Sequence, residues 1–225
     1  MPRPLRTVPR TRPPLAPTSG PPKCISAKSM SPADIVLSTT PTVESGIIDL
    51  ATMQKVSHTR LYIGNAEVIE AKAGGVVRQP LQLAISDDKL TVVYRVKGMT
   101  PQAAERIVAI ASQWVGKDYD YSGALASGAK ANPKICVILG PKLCGDAVAG
   151  RWRDFDRFYC SQLVLEAYRE AGVPFITDSP DTSIPGNIVT AYSNGGLLYV
   201  GHLVSTACYL GRPNDRPDWA NVLGG

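Results

Sequence analysis

The chain has 225 residues, of which 44% are hydrophobic and 19% charged, with a formal charge of +5 and a pI near 9.0. This is enough apolar material for one folded domain, and no stretch approaches the ~20 consecutive apolar residues of a membrane-spanning helix. A basic balance suits an anionic partner such as nucleic acid, anionic lipid or an acidic wall polymer, but no dense Lys/Arg run interleaved with aromatics points to nucleic acid.

Residues 1–30 are rich in Pro, Arg and Thr and read as a disordered or extended tail. No apolar run follows the arginines, so the tail does not read as a Sec signal peptide. Folded structure is expected over residues 31–211. Ile35–Ser38 reads as a short buried strand. Gly46–Lys55, with Ile47, Ile48, Leu50, Ala51 and Met53, suggests a short helix. His58–Ile63, a Gly64-Asn65 turn and Glu67–Ala71 form a hairpin pattern. Val76–Arg78 adds a short strand, and Thr91–Val96 another that is rich in β-branched residues. Thr100-Pro101 opens a helix, with Thr100 as N-cap and Pro101 in the first position. Its core face carries Ala103, Ala104, Ile107, Val108, Ala111, Trp114 and Val115, and Gly116 ends it. Lys117–Tyr121 reads as a loop. Residues 122–157 have weak periodicity and read as an insertion with room for one short helix. Leu197–Val204 is a late strand, and residues 212–225 form an irregular tail. There is no internal repeat.

Five cysteines occur: Cys24, Cys136, Cys144, Cys160 and Cys208. Cys136 and Cys144 are either a local disulfide or two free thiols, and the odd count leaves one cysteine unpaired. With no C-x-x-C and only two histidines, the ligand spacing of a zinc site is missing, and neither metal nor cofactor is expected.

Cys160 stands where an amphipathic helix should begin. Leu163, Val164, Ala167, Tyr168 and Ala171 share one helical face, and Gly172 and Pro174 stop it. The first turn of a helix offers free N–H groups and the positive end of the dipole, which stabilise a thiolate. Cys160 is therefore either a nucleophile or a small buried apolar residue. A nucleophilic cysteine needs a base. His58 opens a strand, and Glu70 ends the strand that pairs with it, so the two are cross-strand neighbours if their side chains share a face. His202 has no such carboxylate and reads as structural or surface. The competing reading of Glu70 is an ordinary solvent-facing carboxylate at a strand end.

These segments together resemble a known family. Ser57–Gly64, Val68–Ala71, Gly116–Asp120 and Tyr159–Val164 resemble motifs of the circularly permuted branch of the NlpC/P60-type papain-like cysteine peptidases, with the YiiX-like proteins as the nearest subgroup. In that branch the histidine strand precedes the cysteine helix. Ala33-Asp34-Ile35-Val36 looks like the family's opening Gly-Asp-hydrophobic strand, with alanine in place of glycine. Arg60-Leu61-Tyr62 departs from the usual Val-Gly-Ile type of run.

The resemblance implies an α+β, papain-like fold: a small antiparallel sheet packed against the nucleophile-bearing helix. It implies Cys160 as nucleophile, His58 as base and Glu70 as the orienting residue, with Tyr159, Asp34 and Ser161 as candidates to line the site. The expected activity is cleavage of an amide bond, in peptidoglycan peptides, through a thioester. A wall substrate without a Sec signal implies export by a dedicated carrier, as for a type VI effector toxin with an immunity protein as partner. Two alternatives stay open: a lipid acyltransferase or thioesterase using the same Cys-His site, and a non-catalytic binding protein on the same fold.

Overall fold

A computed structural model describes Leu15 and residues 23–39, 56–131, 157–204 and 208. Its centre is a six-stranded antiparallel sheet. The strands are β1 (Ile35–Thr39), β2 (His58–Gly64), β3 (Glu67–Lys72), β4 (Gly75–Pro80), β5 (Leu90–Val96) and β8 (Leu197–Val204). Their spatial order is β4-β3-β2-β1-β5-β8. The helices are α1 (Leu81–Ala84), α2 (Pro101–Gln113), α3 (Tyr121–Ala131), α4 (Cys160–Glu170) and α5 (Pro185–Ser193). Two short strands, β6 (Asp118–Tyr119) and β7 (Arg157–Phe158), pair in parallel. The fold is α+β, as expected.

Side chains alternate across the sheet, and both faces are covered. Ile35, Leu37, Leu61, Ile69, Val92 and Tyr94 point to one face and pack with Ile107, Leu163, Val164, Tyr168 and Ile188 from the helices. Val36, Tyr62, Val68 and Val93 point to the other, where Ile25, Met30, Leu81 and Ile85 close a second, smaller core. This is why Ile35, Val36 and Leu37 are all buried although they are consecutive. The expected core face of α2 holds at Ala103, Ala104, Ile107, Ala111 and Trp114, while Val115 is exposed. Thr100 caps that helix by accepting from the Ala103 N–H.

The N-terminal side packs earlier than Ser31. The Ile25 N–H donates to the His202 carbonyl, and the His202 N–H donates to the Lys23 carbonyl. A Cβ at Gly201 would lie 2.5 Å from Ile25 Cγ2, so only glycine allows this approach. A disulfide joins Cys24 to Cys208. The expected loop at Lys117–Tyr121 contains β6, and Tyr121 begins α3. The expected helix at residues 46–55, the pair Cys136 and Cys144, and the tail beyond 211 lie outside the described residues. No helix among the described residues is long and apolar enough to cross a membrane.

Cys24 and Cys208 are 184 residues apart in sequence. Closing so long a loop removes much freedom from the unfolded chain, about 5 kcal/mol in the chain-entropy view. Replacing both cysteines by serine is expected to lower stability by about 2–5 kcal/mol, measured by urea denaturation of the oxidised protein and the double variant.

Candidate active site

The site begins with the β2–β3 hairpin. Gly64, Asn65 and Ala66 turn it with φ of +94°, +51° and +54°. The register pairs Leu61 with Ile69 and Tyr62 with Val68, which sets Arg60 opposite Glu70 and His58 one diagonal step away on the same face. His58 Nε2 donates to Glu70 Oε2 at 2.6 Å. The expected cross-strand pair is present, and Glu70, 2% exposed, is no surface carboxylate. Its other oxygen accepts from Gln79, and Lys72 Nζ lies 3.5 Å from it.

The helix brings the sulfur. Trp114 stacks on Phe158 at 4.6 Å, and the parallel β6–β7 pair joins Tyr119 to Phe158, two residues before Cys160. That segment is in turn tied to β4: the Val76 N–H donates to the Lys117 carbonyl at 2.8 Å. Gly75, at φ +111°, leaves room for the same carbonyl, which a Cβ would meet at 2.6 Å. Cys160 opens α4 and is 2% exposed. Tyr159, the N-cap residue, makes no side-chain cap; Gln162 Oε1 instead accepts the Tyr159 N–H at 3.4 Å.

The imidazole of His58 and the thiol of Cys160 act on each other's proton affinity across the start of α4. Because Nε2 is taken by Glu70, Nδ1 is the ring nitrogen left for the sulfur. Burial raises the Cys160 thiol, but the His58 hydrogen bond and charge and the N–H groups of Thr59 and Ser161 bring it below its ordinary value. Burial and the charge of Arg60 push His58 down, yet its bonds to Cys160 and Glu70 outweigh them, and it lies at about 9 instead of 6.5. Burial raises Glu70, while the hydrogen bond to His58 and the charges of His58, Arg60 and Lys72 hold it at about 2. The arrangement favours a thiolate beside an imidazolium near neutral pH, which is the reactive form of a cysteine.

The other sequence candidates fall in different places. Tyr159 is buried beside the sulfur's helix start, and its hydroxyl donates to the Pro180 carbonyl at 2.8 Å and accepts from Ser127 at 2.7 Å. Ser161 Oγ donates to the Ser183 carbonyl at 2.7 Å. Both side chains clamp the start of α4 to residues 180–183. Asp34 is not brought to the cluster. It sits at the start of β1, whereas His58 pairs with Ser38 at the far end, roughly 13 Å along the strand. There Asp34 takes a two-pronged ion pair from Arg95, at 2.6 and 2.7 Å. His202 is buried on β8, three strand spacings or roughly 14 Å from β2. Its Nδ1 meets the Tyr199 hydroxyl at 2.6 Å.

Sequence reading missed Arg60, Gln79 and Lys72 around Glu70, and Asp88 behind Arg60. Period-two parity placed Arg60 on the face of His58, and that signal was available. The long-range partners Gln79 and Asp88 needed the sheet register. Among the described residues no group of three or more His, Cys, Asp or Glu could hold a metal ion. A cavity of about 330 Å³ behind α4 is lined by Leu165, Arg169 and residues 174–180, and none of the three cluster residues lines it.

The shifts fix how stability depends on pH. Glu70 is lowered on folding, so its contribution is complete above about 4.5 and is lost as pH falls through about 2. His58 is raised, so its contribution is complete below about 6.5 and is lost as pH rises through about 9. Urea denaturation is expected to show the cluster's full contribution between about 4.5 and 6.5. Glu70→Gln should blunt the acid-side loss and His58→Gln the alkaline-side loss.

Residues 29–127 match the model of the family described as permuted papain-like amidase enzyme, YaeF/YiiX, C92 family. The matched span contains His58 and Glu70 and ends before Cys160. A probable lipoprotein peptidase, YaeF of Escherichia coli strain K12, is 27% identical over 201 residues, covering 80% of this chain and 73% of that protein. The crystal structure of metalloprotein yiiX from Escherichia coli O157:H7 superposes with a TM-score of 0.48 at 22% identity, over 82% of this chain and 94% of that one. This chain is thus similar to the permuted papain-like amidases of the YaeF/YiiX kind, over residues 29–127 by the family model and over 80% of its length by the YaeF relative.

Proposed function

We propose that Cys160, His58 and Glu70 are the catalytic triad of an amide hydrolase. The single observation that carries this is the buried His58–Glu70 pair, 2.6 Å apart, whose imidazole also holds the Cys160 thiol below its ordinary value. The Cys160 thiolate attacks the acyl carbon, and the oxyanion meets N–H groups at the start of α4. The C–N bond breaks as the His58 imidazolium gives its proton to the leaving amine. Water, deprotonated by the now neutral His58, attacks the thioester, the C–S bond breaks, and the thiolate and imidazolium are restored with the acid released. Glu70 holds the ring so that one nitrogen faces the sulfur throughout.

The substrate in this reading is a peptide amide of the bacterial wall. The charge of +5 suits an anionic polymer, and a relative described as a probable lipoprotein peptidase supports a peptide bond as the target. A disulfide between Cys24 and Cys208 suits an oxidising compartment outside the cytoplasm. An antibacterial effector, delivered by a dedicated carrier and held in check by an immunity protein, joins these features in one role.

Purified sacculi incubated with the wild type are expected to release cleaved peptides, read by mass spectrometry, and Cys160→Ala none. His58→Ala should lower turnover about a thousand-fold or more. Sacculi left intact while phospholipid loses acyl groups would reassign the same chemistry to lipids. Periplasmic expression of wild type that leaves cells as healthy as Cys160→Ala would reject the effector role.

A further inference from the structure

Arg60 is 3% exposed and lies behind the Cys160–His58–Glu70 chain. Its Nε donates to Glu70 Oε2 at 2.8 Å, the same oxygen that His58 Nε2 uses at 2.6 Å. The rest of its fork is anchored: Nη1 donates to Ser38 Oγ at 2.7 Å and to Asp88 Oδ2 at 2.9 Å, and Nη2 to Asp88 Oδ1 at 3.3 Å. Asp88 Oδ2 also accepts from Thr91 Oγ1 at 2.7 Å. Arg60 is thus fixed by β1, β5 and the turn before β5.

A buried carboxylate facing an imidazolium alone would hold its proton tightly. That helps form the ion pair but makes the imidazolium a weak acid toward a leaving amine. The charged groups facing His58 are Glu70 and Arg60 from the hairpin and Cys160 from α4; those facing Glu70 are His58, Arg60 and Lys72, with the neutral amide of Gln79. Among them Arg60 alone is a buried, permanently charged cation. We propose that Arg60 is a positioning residue that fixes Glu70 from behind and, by sharing the oxygen His58 uses, keeps the His58 imidazolium acidic enough to protonate the leaving group. This rests on the catalytic reading of Cys160, His58 and Glu70.

A purely structural Arg60 would leave the imidazolium's acidity unchanged once the fold is preserved. The chain has only two histidines, so NMR of isotope-labelled histidine follows His58 directly, with His58→Gln giving the assignment. The informative variant is Arg60→Met combined with Asp88→Asn, which leaves no buried carboxylate stranded; Arg60→Lys keeps a cation beside Glu70. Circular dichroism and melting confirm that each variant is folded. The titration midpoint of His58 is expected to rise by about one pH unit in the double variant and to stay near wild type in Arg60→Lys. An unchanged or lowered midpoint in the folded double variant overturns the inference. Cys160→Ala separates this from the catalytic reading: loss of the sulfur should lower the His58 midpoint, and if it does not, the Cys160–His58 pair itself is rejected whatever Arg60 does.

Discussion

An ionised carboxylate that is 2% exposed survives only if its environment replaces water, and Glu70 sets that condition for the whole site. Burial opposes its charge, and four side chains answer it: His58 and Arg60 on one oxygen, Gln79 and Lys72 on the other. They come from β2, β3 and β4, so the carboxylate can be satisfied only when these strands are in the observed register. A slip of one residue would turn His58 and Arg60 to the face occupied by Leu61 and Ile69. The local order of the sheet and the orientation of the imidazole are therefore the same requirement.

The second half of the site arrives on α4, which is buried almost all round. Leu163, Val164 and Tyr168 face the main core, while Tyr159, Ser161 and Gln162 bond the 180–183 turn. The start of the helix is thus held on two sides, and the Lys117 link to β4 sets its height against the hairpin. The backbone that carries the Cys160 sulfur is thereby held in place against the hairpin.

Much of this was legible in the sequence where the signals are local. Alternating residues around Gly64-Asn65 gave the hairpin, and a helical period after Cys160 gave α4. What escaped depends on contacts far apart in the chain. The second core, built from Ile25, Met30, Leu81 and Ile85, draws residues that no periodicity links to one another. The partnership of Cys24 with Cys208 cannot be seen from spacing. The helix at residues 185–193 has Pro185 in a favourable first position, but Gly186, Val189 and Thr190 are weak helix formers, and burial of Ile188 and Ala191 overrides their preference. Asp34 was misplaced for another reason: its motif was right about the strand, but an acid near a motif is as readily an ion-pair partner for Arg95. Its neighbour Ala33 has φ +66°, a conformation more natural to glycine, and the Tyr168 hydroxyl bonds its carbonyl.

Seen as charges, the site is an alternating string: Cys160 thiolate, His58 imidazolium, Glu70 carboxylate, Arg60 guanidinium and Asp88 carboxylate. Each ion is stabilised by its neighbours and opposed by the one beyond. Arg60 supports Glu70 and, one step further, works against the charge on His58. Buried ion strings are weak contributors to stability, since well-packed apolar groups of similar size often serve the fold as well or better. A chain that carries this one at the end of its second core gains from it a defined place for a proton. In the proposed reading, extending the string to Arg60 tempers the rise in proton affinity that Glu70 alone would give His58.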